Sequence, residues 1–231
     1  MNASLVGALT GLLVAAGPAV AGVIDFETLP GGAQPTDGQT IADTYRSTFG
    51  VSFSLEGGGS PVIAEVGAPR TAFAGPPNDS SADVPAAGQG VGRYFLTDDG
   101  ELRGLSAETL IIDYLTPTQA AGGDILDIDF DERWTIEARD DLGNVLDTVV
   151  LAAGDAGTGD GLATRWTFSF ADAEFTSIRI AGDRDAAGAF GLAFDNFTPT
   201  TVPLPGAAWM LGAGLAALAV QRRARAAPSR K

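Results

Sequence analysis

The residue types best suited to chemistry are the acidic side chains of segment 124–132, which reads Asp-Ile-Leu-Asp-Ile-Asp-Phe-Asp-Glu. In an extended strand alternate side chains share a face, so we expect Asp127, Asp129 and Asp131 to lie together. Such a row is typical of the solvated outer face of a core strand. It also offers the hard oxygen ligands that calcium prefers. Both interpretations remain open from the sequence alone.

A catalytic interpretation of the same segment rests on a family resemblance. The spacing of Asp127, Asp129 and Glu132 resembles the Glu-x-Asp-x-x-Glu strand motif of laminarinase-like jelly-roll glycosidases. That family uses two glutamates as nucleophile and acid, so Asp127 would stand at the nucleophile position. A glycoside hydrolase is therefore the alternative to a protein without catalytic residues.

Two further acidic residues lie in the glycine-rich segment 154–161, which reads Gly-Asp-Ala-Gly-Thr-Gly-Asp-Gly. Glycine-rich loops of this kind occur in calcium-binding proteins, and Gly-Asp turns are also common without metal. Asp155 and Asp160 are accordingly secondary candidates for a metal site.

The primary metal prediction joins the two ends of the domain. Asp25 and Glu27 are two residues apart, so in a strand they share a face, while Asp195 lies opposite its apolar neighbours and beside an uncrowded face. The first and last strands of a jelly roll are commonly neighbours, and this arrangement resembles that of calcium-binding carbohydrate modules. We therefore predict a calcium site formed by Asp25, Glu27 and Asp195. The alternative is that all three are ordinary polar residues of strands and turns.

Composition excludes most kinds of enzyme. The chain contains no His and no Cys, which removes the commonest general base, the Ser-His and Cys-His pairs and the usual transition-metal ligands. All 29 acidic residues lie between Asp25 and Asp195, where nine arginines oppose them, so this part carries a net charge of −20. Such a charge disfavours nucleic acid as a partner and favours divalent cations.

The pattern of apolar residues predicts an all-β domain, a two-sheet β-sandwich of jelly-roll type. Short apolar runs separated by Gly, Asp and Pro predict these strands: Val23–Phe26, Val51–Leu55, Val62–Val66, Val91–Leu96, Thr109–Leu115, Asp124–Phe130, Trp134–Arg139, Val145–Leu151, Thr164–Phe170, Ser177–Ala181 and Phe190–Phe194. Segment 67–90, without such a pattern, is predicted to be one or two loops.

Alternation within these strands also predicts which side chains form the core. The residues expected to be buried together are Trp134, Ile136, Trp166, Phe168, Ile178, Ile180, Phe190, Leu192 and Phe194, with Phe26, Ile128, Phe130, Ala138 and Phe170 also turned inward. Residues 141–144, Asp-Leu-Gly-Asn, are expected to form a hairpin turn, with Gly143 or Asn144 at positive φ.

The two ends of the chain carry targeting signals. Residues 1–21 read as a signal peptide ending in Ala-Val-Ala, the form that signal peptidase recognises. They are followed by an ectodomain (22–197) and a stalk with a Pro-containing motif (198–205). Residues 206–220 are expected to form a transmembrane helix, because an uncharged helix from Val202 to Val220 would span about 28 Å. The basic tail (221–231) places the C-terminus in the cytoplasm.

The order of motif, apolar helix and arginine cluster resembles the PEP-CTERM class of bacterial sorting signals, in its VPLPA-type variant. The residues that carry the resemblance are Val202, Pro203, Leu204, Pro205, Gly206, Arg222, Arg223 and Arg225, with Gly206 where the variant has Ala. The resemblance implies recognition by an exosortase-like membrane protease. An ordinary C-terminal membrane anchor is the alternative.

Part of the ectodomain also resembles a domain that recurs in such exported proteins. The resemblance is carried by segments 129–138, 158–164 and 190–197. It implies an exported β-domain made by a Gram-negative bacterium that produces exopolysaccharide, and it brings no defined activity. From the sequence we therefore expect a non-catalytic protein of the cell surface or extracellular matrix, with calcium as cofactor and exopolysaccharide as a candidate partner. A purely structural envelope protein is a further alternative.

Overall fold

The computed structural model of the protein describes residues 22–66, 85–98, 107–171, 175–184 and 191–199. Within these ranges one single-turn helix precedes ten strands. The elements are α1 (Arg46–Phe49), β1 (Val51–Leu55), β2 (Val62–Glu65), β3 (Tyr94–Thr97), β4 (Leu110–Thr118), β5 (Ala120–Leu126), β6 (Glu132–Arg139), β7 (Val145–Ala152), β8 (Ala163–Ser169), β9 (Phe175–Arg184) and β10 (Phe194–Thr198).

The strands form two five-stranded sheets, which confirms the prediction of an all-β sandwich. One sheet has the order β1-β4-β9-β6-β7 and the other the order β2-β3-β10-β5-β8, and the strand pairs in both are antiparallel. Most predicted strands coincide with observed ones within a few residues. The predicted strand Phe190–Phe194 was wrong, because pairing with β5 begins at Phe194 and continues to Thr198, the first residue of the predicted stalk. Strands β7 and β1 lie at the edges of the first sheet, and β2 and β8 at those of the second.

Alternation along the strands decides what the two sheets bury between them. In β6 every second residue is buried, and the same period in β8 buries Trp166 and Phe168. The predicted core residues Trp134, Ile136, Ala138, Trp166, Phe168, Ile178, Ile180, Leu192 and Phe194 all belong to one buried cluster. Phe170 is partly buried against it, and Phe190 lies outside the described residues. Such burial is the main favourable term in folding a chain without disulfides.

The prediction for strand 124–130 was wrong at both ends. β5 begins at Ala120 and ends at Leu126, because pairing with β8 stops at Ala163 and Asp127 then takes a φ of 61°. The sequence did not predict residues 120–123 as part of the strand, because these Ala and Gly residues show no alternation of large apolar and polar side chains. Phe130, which was expected to be buried, has a φ of 48° and is 83% exposed, since the chain has left the sheet by then.

The turn between β6 and β7 was predicted correctly. Gly143 has a φ of 80°, a conformation that glycine adopts without a steric penalty. The carboxylate of Asp140 accepts hydrogen bonds from the backbone N–H groups of Leu142 and Asn144, at 3.0 and 2.8 Å. This Asx-type turn fixes the register of the hairpin.

The targeting segments lie outside the described residues. The predicted signal peptide (1–21), the sorting motif and the apolar helix (206–220) therefore stay predictions. In the part of the chain that the structure describes, no helix has the length and hydropathy needed to cross a membrane. Of the predicted loop 67–90, the structure describes residues 85–90 alone.

Candidate metal centre

The first and last parts of the domain meet, as the sequence suggested. Ile24 and Phe197 form an antiparallel bridge, in which the N–H of Ile24 donates to the carbonyl of Phe197 at 2.7 Å and the N–H of Phe197 donates back at 2.9 Å. The predicted strand Val23–Phe26 is reduced to this bridge, because Phe26 has a φ of 56° and cannot continue a ladder. The bridge places Asp25 and Glu27 close to the end of β10.

Asp195 in β10 is a carboxylate enclosed by protein. Its side chain is 0% exposed. Its Oδ1 accepts the backbone N–H of Asn196 at 2.7 Å, whereas its Oδ2 is buried and has no hydrogen-bond partner. A buried carboxylate oxygen in this condition is costly unless a proton or a cation compensates it.

The prediction that Asp195 lies beside an uncrowded face was wrong. Ala193 is buried in a small second cluster with Ala64, Phe95 and Leu126 on the outer side of its sheet. Segment 85–92 helps to cover this face of the sheet. The side-chain amide of Asn196 donates to the carbonyl of Gly90, and the side chain of Gln89 accepts the N–H of Ala163. Sequence periodicity cannot show that a loop will cover a sheet face.

Asp25 and Glu27 approach this carboxylate from the opening segment. Asp25 is exposed and accepts the N–H of Glu27 at 3.1 Å, whereas Glu27 is half-buried and its Oε1 accepts the N–H of Tyr94 at 2.7 Å. Gly92 leaves room for the Glu27 carboxylate, because a Cβ at this position would overlap that side chain and displace it. One oxygen of Glu27 thus ties the opening segment to β3.

The electrostatics confirm that these groups share one neighbourhood. Burial raises the pKa of Asp195 to about 8, and the charges of Asp124, Glu27 and Asp25 add to the effect, while the hydrogen bond from Asn196 opposes it. No ion pair among the described residues involves Asp195. Arg165, the cation that lies closest along the sheet, pairs with Asp124 at 3.2 Å instead.

Arg165 is also held by two groups of β10. It donates to the backbone carbonyl of Asn196 and to the hydroxyl of Thr198, both at 2.9 Å. Together with the ion pair to Asp124, these contacts engage both terminal nitrogens of the guanidinium. Arg165 therefore serves Asp124 and β10, and it forms no ion pair with Asp195.

Tyr45 belongs to the same neighbourhood and was missed by sequence reasoning. Its hydroxyl is buried without a hydrogen-bond partner. Burial raises the pKa of Tyr45, and the charges of Asp25 and Asp195 raise it further, which keeps the hydroxyl protonated. Its ring packs edge-on against Phe26 and Phe53. No spacing in the sequence relates Tyr45 to Asp195, so only the fold could reveal the pair.

A second group of carboxylates lies at the other candidate segments. One oxygen from each of Asp127, Asp129 and Asp160 lies within 4.8 Å of the others. The structure thus brings Asp127 and Asp129 of segment 124–132 close to Asp160 of segment 154–161, although the sequence analysis treated the two segments as separate candidates. Backbone pairing holds them together, because the N–H of Asp127 donates to the carbonyl of Leu162 at 2.9 Å and the N–H of Gly161 donates to Asp127 Oδ1 at 2.7 Å.

Two of the secondary metal candidates do not join this group. Asp131 was expected to share a strand face with Asp127 and Asp129, but β5 ends before all three, so alternation does not align them. Asp155 instead accepts the N–H of Ala152 at 2.9 Å, which ties it to the end of β7.

The glycosidase motif is not formed on one strand. Asp127 follows β5, whereas Glu132 is the first residue of β6 in the other sheet and is buried. The family's geometry needs its carboxylates projecting from one strand into a cleft, and the chain turns between these residues. The described structure thus gives no support to the catalytic interpretation.

No protein-family model and no curated protein matches the chain. Among solved structures it is similar to TmCBM61, determined with β-1,4-galactotriose, at 12% identity over 64% of this chain and 86% of that chain, with a TM-score of 0.35. It is also similar to the enzymatically active domain of tailspike protein 4 of bacteriophage CBA120, at 11% identity over 68% of this chain and 20% of that chain, with a TM-score of 0.34. A third match is the CBM22-1 xylan-binding domain of Paenibacillus barcinonensis Xyn10C, at 11% identity, 73% and 97% coverage and a TM-score of 0.29. At these values the likenesses carry no argument about ligand or activity.

The raised pKa of Asp195 predicts how stability depends on pH when metal is chelated. In the folded protein this carboxyl keeps its proton up to about pH 8, whereas the ordinary pKa of an Asp side chain is 3.8. The folded state therefore binds the extra proton, and stability must fall as pH rises between these values. We expect the Tm in EDTA to decrease from about pH 5 to about pH 8, and Asp195→Asn to flatten that decrease.

The absence of His makes this window easy to interpret, because no imidazole titrates within it. The two proteins should be compared by thermal unfolding in the same buffers. A wild-type Tm that is as flat as that of Asp195→Asn would show that the carboxyl is not buried as described.

Proposed function

We propose that the chain is an exported, non-catalytic protein of the cell surface or extracellular matrix whose β-sandwich binds calcium where the two ends of the domain meet. The observation that carries this proposal is the buried carboxylate of Asp195, whose Oδ2 has no hydrogen-bond partner. A protein that buries such a group without a cation loses stability, and a divalent ion removes that loss.

The surrounding groups suit calcium better than other common metals. Asp25, Glu27 and Asp195 offer carboxylate oxygens, and the chain has no His or Cys for zinc or copper. Calcium accepts six to eight oxygens in a flexible geometry, so backbone carbonyls and water can complete the site. We assign Asp195 as the anchoring ligand, and the exposed Asp25 as a ligand that turns toward it.

Tyr45 has a supporting role in this site. Its hydroxyl is buried, unpartnered and electrostatically coupled to both Asp25 and Asp195. A protonated phenol donates a hydrogen bond well to a water molecule and is a weak ligand itself. We therefore assign it to hold a water ligand of the ion.

Export and sorting are supported by the sequence of the two ends. The proposed steps are removal of residues 1–21 by signal peptidase, anchoring through the apolar helix and processing near Val202 to Gly206 by an exosortase-like protease. These signals place the acidic domain outside the cytoplasmic membrane. Calcium is abundant enough there for a site of moderate affinity to be filled.

Exopolysaccharide is the partner that we propose for the domain. Phe130 is 83% exposed and lies next in sequence to Asp129 of the group Asp127, Asp129 and Asp160. An exposed ring beside a bound cation suits a polysaccharide, because the ring stacks on apolar sugar faces and the ion accepts hydroxyl or carboxylate oxygens. The cation also lets an acidic protein bind an anionic polymer.

The calcium proposal is tested by thermal unfolding of the purified protein in millimolar calcium and in EDTA. An ion that binds only the folded state stabilises it by about 2.7 kcal/mol at a hundredfold excess over its dissociation constant. We expect a higher Tm in calcium, with most of the shift lost in Asp195→Asn. Tyr45→Phe should weaken the shift without abolishing it.

Asp160→Ala is the matched control, because it disrupts only the second acidic group. If the calcium shift survives in Asp195→Asn and disappears in Asp160→Ala, the stabilising ion lies at the second group and the assignment to Asp195 is wrong. Equal Tm values in calcium and EDTA for the wild type would remove calcium from the proposal altogether.

Binding to polysaccharide is tested on a glycan array with and without calcium. We expect calcium-dependent binding that Phe130→Ala reduces about fivefold, since stacking on one ring is worth on the order of 1 kcal/mol. Leu142→Ala is the control, because Leu142 is 81% exposed at the tip of the β6–β7 hairpin, away in sequence from the acidic group. Equal losses in both variants, or no glycan bound at all, would contradict the proposal.

Processing is tested by the intact mass of the protein that reaches the cell surface. Cleavage near Val202 to Gly206 predicts a species that lacks the basic tail Arg222 to Lys231 and begins at Gly22. Surface protein that retains the tail would identify an ordinary membrane anchor instead.

A further inference from the structure

The strand β7 presents an unusual edge to solvent. It is eight residues long and lies at the end of its sheet, paired only with β6. Several of its apolar side chains are exposed: Val145 (46%), Leu146 (39%) and Val150 (45%). A long apolar edge strand is a template for pairing with another strand, and natural proteins usually protect it.

Hydrogen bonding shows which backbone groups of β7 face outward. The N–H of Ala153 donates to the carbonyl of Glu132, so odd-numbered residues of this segment turn their backbone groups toward β6. Between Asp147 and Ala152, where the register with β6 is regular, the even-numbered residues Thr148, Val150 and Ala152 therefore turn theirs to the open edge. A shift in register at Leu146 ends this alternation. The outward groups of the three even-numbered residues are the ones that an added strand would use.

Two aspartates already occupy two of these three outward donors. Asp147 Oδ1 accepts the N–H of Thr148 at 2.8 Å, and Asp155 Oδ2 accepts the N–H of Ala152 at 2.9 Å. The N–H of Asp155 also donates to the carbonyl of Ala152 at 3.0 Å, so Asp155 pairs with both backbone groups of Ala152 as a neighbouring strand would. A carboxylate at such a position also repels the carbonyl oxygens of an incoming strand.

We propose that Asp147 and Asp155 block the edge of β7 against pairing with β7 of a second copy of this chain. The second copy is the matching partner because the strand is complementary to itself. In an antiparallel pair centred on Val150, Val150 of each copy lies opposite Val150 of the other, and Thr148 lies opposite Ala152. The hydrogen bonds between Thr148 and Ala152 need the N–H groups of both residues, the donors that Asp147 and Asp155 occupy.

The block acts on both sides of the centre of such a dimer. Asp147 occupies the donor of Thr148 on one side of Val150, and Asp155 occupies the donor of Ala152 on the other. Antiparallel pairing through this edge therefore loses bonds at Thr148 and Ala152, and leaves two carboxylates per copy beside carbonyl groups. The device keeps an acidic exported domain monomeric although its edge strand is apolar.

The test compares the oligomeric state of variants of the full chain, purified in a mild detergent so that the C-terminal apolar segment does not associate. Light scattering after size exclusion should give the wild type as a monomer. The double variant Asp147→Ala/Asp155→Ala should at least double in mass as concentration rises. The pair Asp147→Asn/Asp155→Asn keeps an acceptor oxygen at both positions and should remain largely monomeric.

Asp141→Ala is the matched control for loss of charge, because Asp141 is exposed in the adjacent turn. Adding Val150→Lys to the double alanine variant should restore the monomer if association runs through β7. The proposal is overturned if the double alanine variant stays monomeric, if Asp141→Ala associates equally, or if Val150→Lys leaves the assembly unchanged. If the double variant fails to fold, as judged by its circular dichroism, the single variant Asp147→Ala takes its place with the same expected outcomes.

Discussion

The enclosed carboxyl group of Asp195 is the constraint on which the centre of this structure depends. The carboxylate lies in β10, the middle strand of its sheet, and is covered by the opening segment and by residues 85–92. The bridge between Ile24 and Phe197 closes the domain around it. Packing and ionisation therefore act in opposite directions at one place, because the bridge that completes the core also encloses a carboxyl group that would be charged in water. The proton that burial retains there, or the cation that we propose, offsets this conflict.

The same residues that close the domain also build its aromatic core. Phe26 and Phe197, next to the bridge, contact the rings of Phe53 and Phe194 with centroid separations between 5.6 and 6.4 Å. Tyr45 joins this group through its ring, and the charges of Asp25 and Asp195 raise the pKa of its hydroxyl. Well-packed side chains thus support the region around Asp195. The core, and no loop alone, positions this carboxyl group.

Acidic residues serve three different purposes on this one domain. Asp195 is enclosed at the joined ends, Asp127, Asp129 and Asp160 gather between two loops, and Asp147 and Asp155 bond to backbone donors at a sheet edge. Sequence spacing does not separate these roles, because all are Asp residues near Gly or apolar neighbours. What separates them is the backbone to which each one is adjacent.

The sequence by itself determined most of the strands, the inward faces of β6 and β8 and the turn at Gly143, because alternation and turn chemistry are local properties that neighbouring residues decide. It also placed Asp25, Glu27 and Asp195 in one region by supposing that the end segments are neighbours. Only the tertiary structure decided that Asp195 is enclosed, that Tyr45 faces it and that Asp160 joins Asp127 in place of Asp131. Burial and the meeting of distant loops depend on pairings far apart in the chain, for which a single sequence holds no periodic signal.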